Sequence, residues 1–439
     1  ASRNHVNNYR DRYYYSFKQG QPDEEIINFI KATYLHVSRC FEVFRPDIIV
    51  TPNFAGLQHI MFSMIADRRG IPIIGTIDLK VRGVTGITRD YLGRKSNFLD
   101  RVIELKNGAS SHNIEKARAY LVENRSSLAT ANIDMSAVTK MYGKGKKIEK
   151  SNVDFVLNQT VSFNEYARAL KNSLVESIQF YRSLKREKIA NIGVTIDYRP
   201  PYYIFRDNFS SLRNRRNAEN YSGYTKLSKI GKFVYFPLQV QPEATINIHA
   251  PIFNNQFEVA RQIAMALPDD YCLVVKEHPN MTSRRKISYV DKIAHLPNVK
   301  LLDFRTRTED VLKLASLLVS PSSSTISEAA YLYVPTIQLG GLGTTLAYPN
   351  VMHHDDFSTL PQAIRAMVSK TFNKEEYDAS LVRLIAAAYD VGIQDSYDKL
   401  YEWIIDESDR PSLRKKVNPW LIAEIRKLLN KSDIEEASI

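Results

Sequence analysis

The chain has 439 residues, too many for one hydrophobic core, which suggests two domains, or three. Hydrophobic residues are 44% and charged residues 25% of the total, close to an average globular protein, so disordered, collagen-like and coiled-coil classes are excluded. Lys and Arg number 60 against 48 for Asp and Glu, and the net charge of +12 favours nucleic acid, a phosphorylated small molecule or an anionic membrane surface as partner.

Cysteine content and hydropathy indicate the compartment. Two cysteines, Cys40 and Cys272, are too few for a disulfide framework and indicate a reducing cytosol. No stretch reaches the ~18 apolar residues of a membrane-spanning helix, and the N-terminus is polar, unlike a signal peptide. The sequence predicts a cytoplasmic protein, at most peripheral on the inner face of the cell membrane. Because residue 1 is Ala1 rather than Met, a start inside a longer polypeptide is also compatible with the sequence.

The N-terminal half contains one legible strand–helix–strand unit, predicted at 47–51, 57–69 and 71–75. Further elements are predicted as helices at 114–124 and 163–185 and a strand at 191–196. A complete α/β domain needs more strands than these. Strands therefore either precede residue 1 or are hidden in polar stretches.

A polar, basic segment at 207–232, poor in large aliphatic residues, separates the two halves. Such a segment indicates a domain boundary, with the hinge expected near 225–232. The predicted units are 1–228, 229–372 and a helical C-terminal unit, 373–439. Its helices are predicted at 375–388 and 396–405.

In the C-terminal half, short apolar runs alternate with segments of helical periodicity. Strands are predicted at 233–239, 271–276, 299–302, 317–320 and 335–339, and helices at 253–267, 284–295, 309–315, 326–333 and 360–369. Strands of four to seven residues separated by helices are typical of a doubly wound parallel sheet. We therefore predict a Rossmann-like domain here.

The strand at 271–276 runs directly into Lys276-Glu277-His278-Pro279. Ligands of open parallel sheets bind outside the carboxyl ends of the strands, so His278 emerges where a ligand would lie. Pro279 fixes the backbone of the turn, and the imidazole could donate a hydrogen bond to a phosphate. The alternative is a histidine that caps a strand end, with at least equal weight.

A second motif follows the strand at 317–320. Pro321 leads into four hydroxyl residues and a predicted helix that contains Glu328; the four are Ser322, Ser323, Ser324 and Thr325. Hydroxyls at a helix N-terminus suit a phosphate, and Glu328 could reach ribose hydroxyls. The alternative is an ordinary N-cap with Glu328 in a capping box, which is compatible with phosphate binding.

These two motifs, followed by Gly340-Gly341-Leu342-Gly343, make the sequence resemble capsule polysaccharide glycosyltransferases, particularly the Kdo transferase and polysialyltransferase-like families. The resemblance covers about 232–370 and, loosely, 44–90. It implies the α/β GT-B fold: two Rossmann-like domains facing across a cleft, with C-terminal helices. Unit 1–228 would lie on the acceptor side, and unit 229–372 would bind the nucleotide sugar.

In those families the His-Pro pair and the following serine and threonine residues bind the CMP of a CMP-activated sugar acid. The resemblance therefore implies nucleotide contacts from His278, Pro279, Ser322, Ser323, Ser324 and Thr325, and we add Lys276, Glu277 and Glu328 to this predicted site. The segment 236–243 is similar to the Pro-Leu-Gln segment of the capsule Kdo transferases, which usually have Asp where this chain has Glu243. Gln239 could hydrogen-bond sugar or base groups, whereas Glu243 either acts on a hydroxyl or lies in solvent.

Glycosyl transfer also needs a carboxylate near the anomeric carbon. Asp78, directly after a predicted strand, is the first candidate, Asp90 the second and Glu243 the third. A structural role is the alternative for Asp78 and Asp90. His59 could face the cleft, but packing in the core is the favoured interpretation.

No Asp-x-Asp triplet, P-loop or Cys-x-x-Cys pair occurs, so a metal-independent enzyme without a cofactor is expected. The run 353–356, His-His-Asp-Asp, could hold a divalent ion but is interpreted as a polar turn before a helix. Basic runs at 144–150 and 213–216 lack an accompanying nucleic-acid motif, so nucleic acid is not an expected partner.

Near the C-terminus, apolar residues share one face of a basic predicted helix, with Trp420 beside them: Leu421, Ile425, Leu428 and Leu429. This face would lie either on an anionic membrane or on the body of the protein.

The leading prediction is a bacterial glycosyltransferase. It would move Kdo or another nonulosonic-type sugar from a CMP donor to an oligosaccharide or glycolipid acceptor of capsule or lipopolysaccharide. The alternatives are a UDP- or GDP-sugar hexosyltransferase, a nucleotide-sugar epimerase of the same fold, and a non-catalytic basic binding module.

Overall fold

A computed structural model describes residues 23–131, 160–187, 200–241, 243–394 and 410–436. Four sequence predictions lie outside these residues: the basic run at 144–150, the strand at 191–196, Pro242 and the helix at 396–405.

The N-terminal half carries a small sheet flanked by helices. Its elements are α1 (Asp23–Phe44), β1 (Ile49–Thr51), α2 (Leu57–Arg68), β2 (Ile73–Asp78), β3 (Thr85–Thr88), α3 (Asn97–Lys106), α4 (Ile114–Ala131), α5 (Phe163–Glu187) and α6 (Pro201–Glu219). β1 and β2 pair in parallel across α2, so the predicted strand–helix–strand unit is confirmed. β3 pairs antiparallel to β2. The sequence did not predict β3, because Ile87 is the single large apolar residue among its four.

Helix α6 corrects the interpretation of 207–232 as a polar linker. Residues up to Glu219 are helical, and the charges that suggested solvent are partly buried. The side chain of Arg215 is 7% exposed and pairs with Glu219 at 2.9 Å and with Glu165 of α5 at 3.2 Å. The ion pair with Glu165, a hydrogen bond from Asn208 to Ser173 at 2.9 Å and the ring contact between Tyr166 and Phe209 join α6 to α5. The boundary near 225–232 stays a prediction.

The C-terminal half is built around a larger sheet. Its elements are β4 (Phe233–Pro237), α7 (Ala244–Asn247), α8 (Gln256–Ala266), β5 (Cys272–Lys276), α9 (Ile287–Ala294), β6 (Val299–Leu302), α10 (Thr308–Leu314), β7 (Leu317–Ser320), α11 (Thr325–Tyr331), β8 (Thr336–Gln338), α12 (Gly343–Leu346), β9 (Val351–His353), α13 (Leu360–Val368), α14 (Lys374–Val391) and α15 (Arg410–Glu436). The six strands pair in parallel in the order β6-β5-β4-β7-β8-β9. The predicted α/β class with a doubly wound parallel sheet is confirmed.

Both faces of this sheet are covered, which explains why its strands are continuous apolar runs. On β4, Val234 and Phe236 pack into a cluster with residues of α8, α9 and α13, whereas Phe233 and Tyr235 pack into a second cluster with residues of α10 and α11. All four side chains are almost fully buried. Burying each large apolar side chain contributes roughly 1.5–3 kcal/mol, so these two layers fix the position of the sheet.

Strand β9 corrects the interpretation of 353–356 as part of a turn. His353 ends this edge strand, His354 N still donates to Gln338 O at 3.0 Å, and the turn begins only at Phe357. The strand has three residues and a polar end, so no apolar run marked it in the sequence. Asp356 does form a polar turn, since its carboxylate accepts hydrogen bonds from Ser358 N and Ser358 Oγ, both at 2.8 Å.

The two halves meet at glycines. Gly343 N donates to Leu92 O at 2.7 Å, and Arg94 Nε donates to Gly341 O at 3.0 Å. Gly93 has φ +66°, a conformation that favours glycine. A Cβ on Gly343 would lie 2.8 Å from the carbonyl carbon of Gly93, so the backbones approach more closely than any side chain allows.

The C-terminal helices return to the N-terminal half. α14 packs against α3 and α4, and Arg125 forms two hydrogen bonds with Asp378, at 2.8 and 2.6 Å. On α15, Trp420 Nε1 donates to Val391 O at 3.1 Å. Docking on the body of the protein, one of the two alternatives for the face of α15 that carries Trp420, therefore accounts for this tryptophan.

The glycine contact gives a stability prediction. Gly343→Ala should lower the free energy of unfolding by about 1–3 kcal/mol, because the added methyl group must push the backbone at Gly93 away. Gly231→Ala is the matched control, since a Cβ at Gly231 meets nothing within 4 Å, and it should change stability by less than about 0.5 kcal/mol. Chemical denaturation measures both. Equal effects would contradict a tight contact between the halves.

Candidate functional site

The direction of winding of the large sheet reverses beside β4. From β4 the chain continues to β5 and β6 on one side, and then to β7, β8 and β9 on the other. Ligands of open α/β sheets bind at such a switch point, outside the carboxyl ends of the strands. Gln239, His278 and Ser322 follow the ends of β4, β5 and β7, which are adjacent strands. Tertiary structure therefore brings together the three motifs that the sequence singled out.

His278 lies at the start of a short 3₁₀ turn, Pro279–Met281. Its Nδ1 accepts a hydrogen bond from Asn280 N at 3.2 Å. An amide can only donate, so Nδ1 carries no proton and the neutral ring holds its proton on Nε2. Pro279 occupies the first position of the turn, where a missing N–H costs nothing. His278 does cap the turn, as the alternative proposed, and the same hydrogen bond makes Nε2 a donor of fixed direction.

The hydroxyl segment after β7 is largely buried. Ser323 Oγ lies 2.9 Å from Ser320 Oγ, whereas Ser322 Oγ has no hydrogen-bond partner among the described residues. Ser324 is exposed and precedes α11, whose first residue is Thr325.

The capping box proposed for this segment is absent. Ser324 makes no side-chain cap hydrogen bond, and Glu328 stands at the fourth helical position, whereas a capping box needs the third. The four hydroxyl residues are therefore not committed to a capping box.

The side chains of Lys276 and Glu328 are buried in the interior of the protein. Lys276 Nζ donates to Thr306 O at 2.8 Å and to Thr308 Oγ1 at 2.9 Å. Burial lowers the pKa of Lys276 to about 8 and raises the pKa of Glu328 to about 7, while the attraction between the two charges opposes both shifts. The nucleotide contacts expected of these two residues stay predictions.

Glu277 is paired with an arginine that the sequence analysis missed. Both carboxylate oxygens accept from Arg285 Nη1 at 2.8 Å, and Glu277 Oε1 also accepts from His278 N at 2.7 Å. Burial raises the pKa of Glu277, and the guanidinium opposes that rise. A buried acid needs a cationic partner, and this requirement was the signal that could have identified Arg285.

The three candidate carboxylates have different surroundings. Asp78, at the end of β2, has a side chain that is 47% exposed and forms an ion pair with Lys80 at 2.9 Å. Asp90 Oδ1 accepts from Lys95 N and from Thr88 Oγ1, both at 2.9 Å, and so shapes the loop that contacts Gly343. This geometry gives Asp90 a structural role, the alternative proposed for it.

Glu243 belongs to the loop between β4 and α7, where its Oε2 accepts from Thr245 Oγ1 at 2.7 Å. His59 lies on α2, where it is partly buried, and this burial lowers its pKa. Catalytic roles for Asp78, Asp90 and Glu243 stay predictions.

His249 is a second residue that the sequence analysis missed, because it belongs to no motif. Its carbonyl accepts from Gly341 N at 2.9 Å, which places it beside the contact between the two halves. Burial and, to a smaller extent, the charge of Lys80 lower the pKa of His249 to about 4, so the ring is neutral at neutral pH. Lys80 also pairs with Asp78, and its carbonyl accepts from Tyr348 Oη at 3.0 Å, so the end of β2 approaches the C-terminal half.

Within the described residues, no group of three or more His, Cys, Asp or Glu side chains is arranged to hold a metal ion. None of the helices in that part of the chain combines the length and hydropathy of a membrane span.

No model of a known protein family matches the chain. No curated protein matches it in sequence. Several solved structures are similar in part. The glycosyltransferase of kitacinnamycin has 15% identity and a TM-score of 0.25, over 40% of this chain and 44% of that one, so the match spans less than half of that enzyme. A UDP-GlcNAc 2-epimerase from Methanocaldococcus jannaschii, in complex with UDP-GlcNAc and UDP, has 14% identity and a TM-score of 0.27, over 81% and 79% of the two chains. The wall teichoic acid polymerase TagF has 12% identity and a TM-score of 0.22, over 51% and 49%.

The pH dependence of stability tests the environment of His249. Its pKa is lowered from 6.5 to about 4 on folding, so between these values the unfolded chain binds more protons than the folded protein. The free energy of unfolding should therefore fall as the pH is lowered through this window, by about 1–3 kcal/mol. His249→Asn should flatten that slope in chemical denaturation. Equal slopes in the two proteins would show that the ring is not buried and neutral.

Proposed function

We propose that the chain is a glycosyltransferase that uses a CMP-activated sugar acid, Kdo or another nonulosonic-type sugar, as donor. The acceptor would be an oligosaccharide or glycolipid of a bacterial surface glycan. The observation that carries the proposal is that His278, Gln239 and the 322–325 segment follow three adjacent strand ends at the switch point of a parallel sheet. The His-Pro and Ser/Thr motifs, which resemble those of the capsule families, support CMP as the nucleotide.

The chemistry that these residues can perform is stabilisation of a departing phosphate. In glycosyl transfer the bond from the anomeric carbon to the phosphate oxygen breaks, an acceptor oxygen bonds to that carbon, and a base takes the acceptor proton. The CMP leaving group gains negative charge. His278 Nε2 is a preorganised donor for that charge, and hydroxyls of the 322–325 segment add further donors. We assign the base to Asp78, because its side chain is 47% exposed and the carbonyl of the neighbouring Lys80 accepts a hydrogen bond from Tyr348 of the other half.

The nucleotide preference can be measured by thermal shift. CMP should raise the melting temperature more than equal concentrations of UDP or GDP, since a ligand that binds the folded state stabilises it by about 2.7 kcal/mol at a concentration of 100 Kd. An equal or larger shift with UDP would favour the hexosyltransferase. Turnover of a nucleotide sugar without any acceptor would favour the epimerase, and a donor left intact in the presence of acceptors would favour the binding module.

Two variants separate the proposed role of His278 Nε2 as a donor from the role of Nδ1 in capping the turn. His278→Ala removes both ring nitrogens, whereas His278→Asn retains an acceptor close to the position of Nδ1 and loses the Nε2 donor. Both should lower kcat by roughly a hundredfold or more, because a preorganised donor to the leaving group is lost. His278→Asn should keep more of the wild-type stability, since the hydrogen bond from Asn280 N can re-form. Near-normal turnover in His278→Asn would leave His278 with its capping role alone.

A further inference from the structure

The backbone between β4 and β5 loses its regular pairing just where the candidate site begins. The ladder ends with the hydrogen bond from Leu238 N to Lys276 O, at 2.9 Å. Beyond it, the N–H and carbonyl of Gln239 have no strand partner, although Gln239 is buried. Buried backbone groups must be paired, so side chains have to replace the missing strand.

Gln256, at the start of α8, supplies part of this replacement. Its Oε1 accepts from Gln239 N, and its Nε2 donates to Gln239 O at 3.1 Å and to Gln241 Oε1 at 2.7 Å. The side-chain amide of Gln256 thus donates and accepts hydrogen bonds as the backbone of a neighbouring strand would. These bonds hold the loop after β4 in place. Gln256 is fully buried, which fixes its orientation.

Arg285 connects this loop to the turn that carries His278. Its Nη2 donates to Gln239 O at 3.1 Å and to Gln241 Oε1 at 3.2 Å. Its Nη1 donates to both oxygens of Glu277, and Glu277 in turn accepts from His278 N. One guanidinium therefore joins the segments after β4 and β5, whose last backbone hydrogen bond to each other among the described residues is Leu238 N to Lys276 O.

Burial of this ion pair is not explained by stability alone. The side chains of Arg285 and Glu277 are 8% and 4% exposed. Desolvation of two charges offsets most of their attraction, and apolar replacements of such pairs are often as stable or more so. A planar guanidinium with several donors instead provides fixed geometry, which a single ammonium cannot reproduce.

We propose that Arg285 is a positioning residue that sets the distance between Gln239 and His278 and so matches the two loops to one bound nucleotide. Arg285 acts through Glu277, Gln241 and the carbonyl of Gln239 rather than through a contact with the ligand. The part of the inference that concerns the nucleotide rests on the proposed function.

Amide hydrogen exchange tests, without any ligand, the clamp that Arg285 forms between the loops after β4 and β5. Arg285→Lys keeps the positive charge but loses the planar guanidinium with its several donors. Exchange at His278 N and Gln239 N should therefore become at least tenfold faster than in the wild type. Leu273 N, inside the β5–β6 ladder, is the internal reference, and it should change by less than twofold. A merely structural role would speed exchange at all three amides together, and that result would overturn the proposal.

Nucleotide binding is the second measurement, with CMP as the probe. Arg285→Lys should weaken CMP binding about tenfold at a temperature where the variant is fully folded. Arg261→Lys is the matched control, because Arg261 also donates to both oxygens of a glutamate, Glu258, on the exposed side of α8, and it should leave CMP affinity within twofold. Unchanged affinity in folded Arg285→Lys would overturn the positioning role.

If Arg285→Lys does not fold, Gln241→Met takes its place. This variant leaves the ion pair intact and removes the acceptor that Arg285 and Gln256 share, so exchange at Gln239 N should again rise selectively. An unchanged exchange rate there would contradict the clamp. Absence of CMP binding by the wild type would refute the proposed function, while the exchange measurements would still decide the clamp.

Discussion

The hydrogen-bond ladder between β4 and β5 ends at Leu238 N to Lys276 O, and the candidate site depends on how the chain continues from that point. Up to this bond, backbone pairing and two apolar layers determine the structure. Beyond it, every buried polar group needs another partner. Gln256 and Arg285 are those partners, so the order of the sheet extends into the loop that follows β4.

Contact between the two halves has a different physical basis. Glycines at 93, 341 and 343 allow two backbones to approach directly, and hydrogen bonds from Gly343 N and Arg94 Nε close the contact. A third apolar cluster, which includes Tyr348 together with residues of α3, α4, α11 and α14, lies beside this contact and packs helices of both halves into one layer. The Asp78–Lys80 pair and His249 lie at the same junction, so the candidate carboxylate of Asp78, whose side chain is 47% exposed, approaches the C-terminal half.

Several charged groups in the described part of this protein are buried. Arg215, Arg285 and Lys276 all have nearly inaccessible side chains with specific partners. The charged side chains behind the net charge of +12 are therefore not all exposed to solvent, although the excess of positive charge still favours anionic substrates. Fixed partners also explain why the loops around His278 can be rigid without regular secondary structure.

The strands and turns that depend on neighbouring residues in the sequence could be predicted from the sequence alone. The strands at 299–302 and 317–320 have the predicted ends because each is a compact apolar run, and Pro279 sets the turn after β5. Tertiary structure decided the rest. β3 and β9 exist because neighbouring strands supply their hydrogen bonds, and the order of the sheet places the loop of His278 next to that of Gln239. The role of Arg285 depends on Glu277 and also on Gln239, which is 46 residues away in sequence. The sequence alone does not show whether a charged side chain is solvated or buried. Only the folded chain shows which partners compensate for the hydration that a buried charge loses.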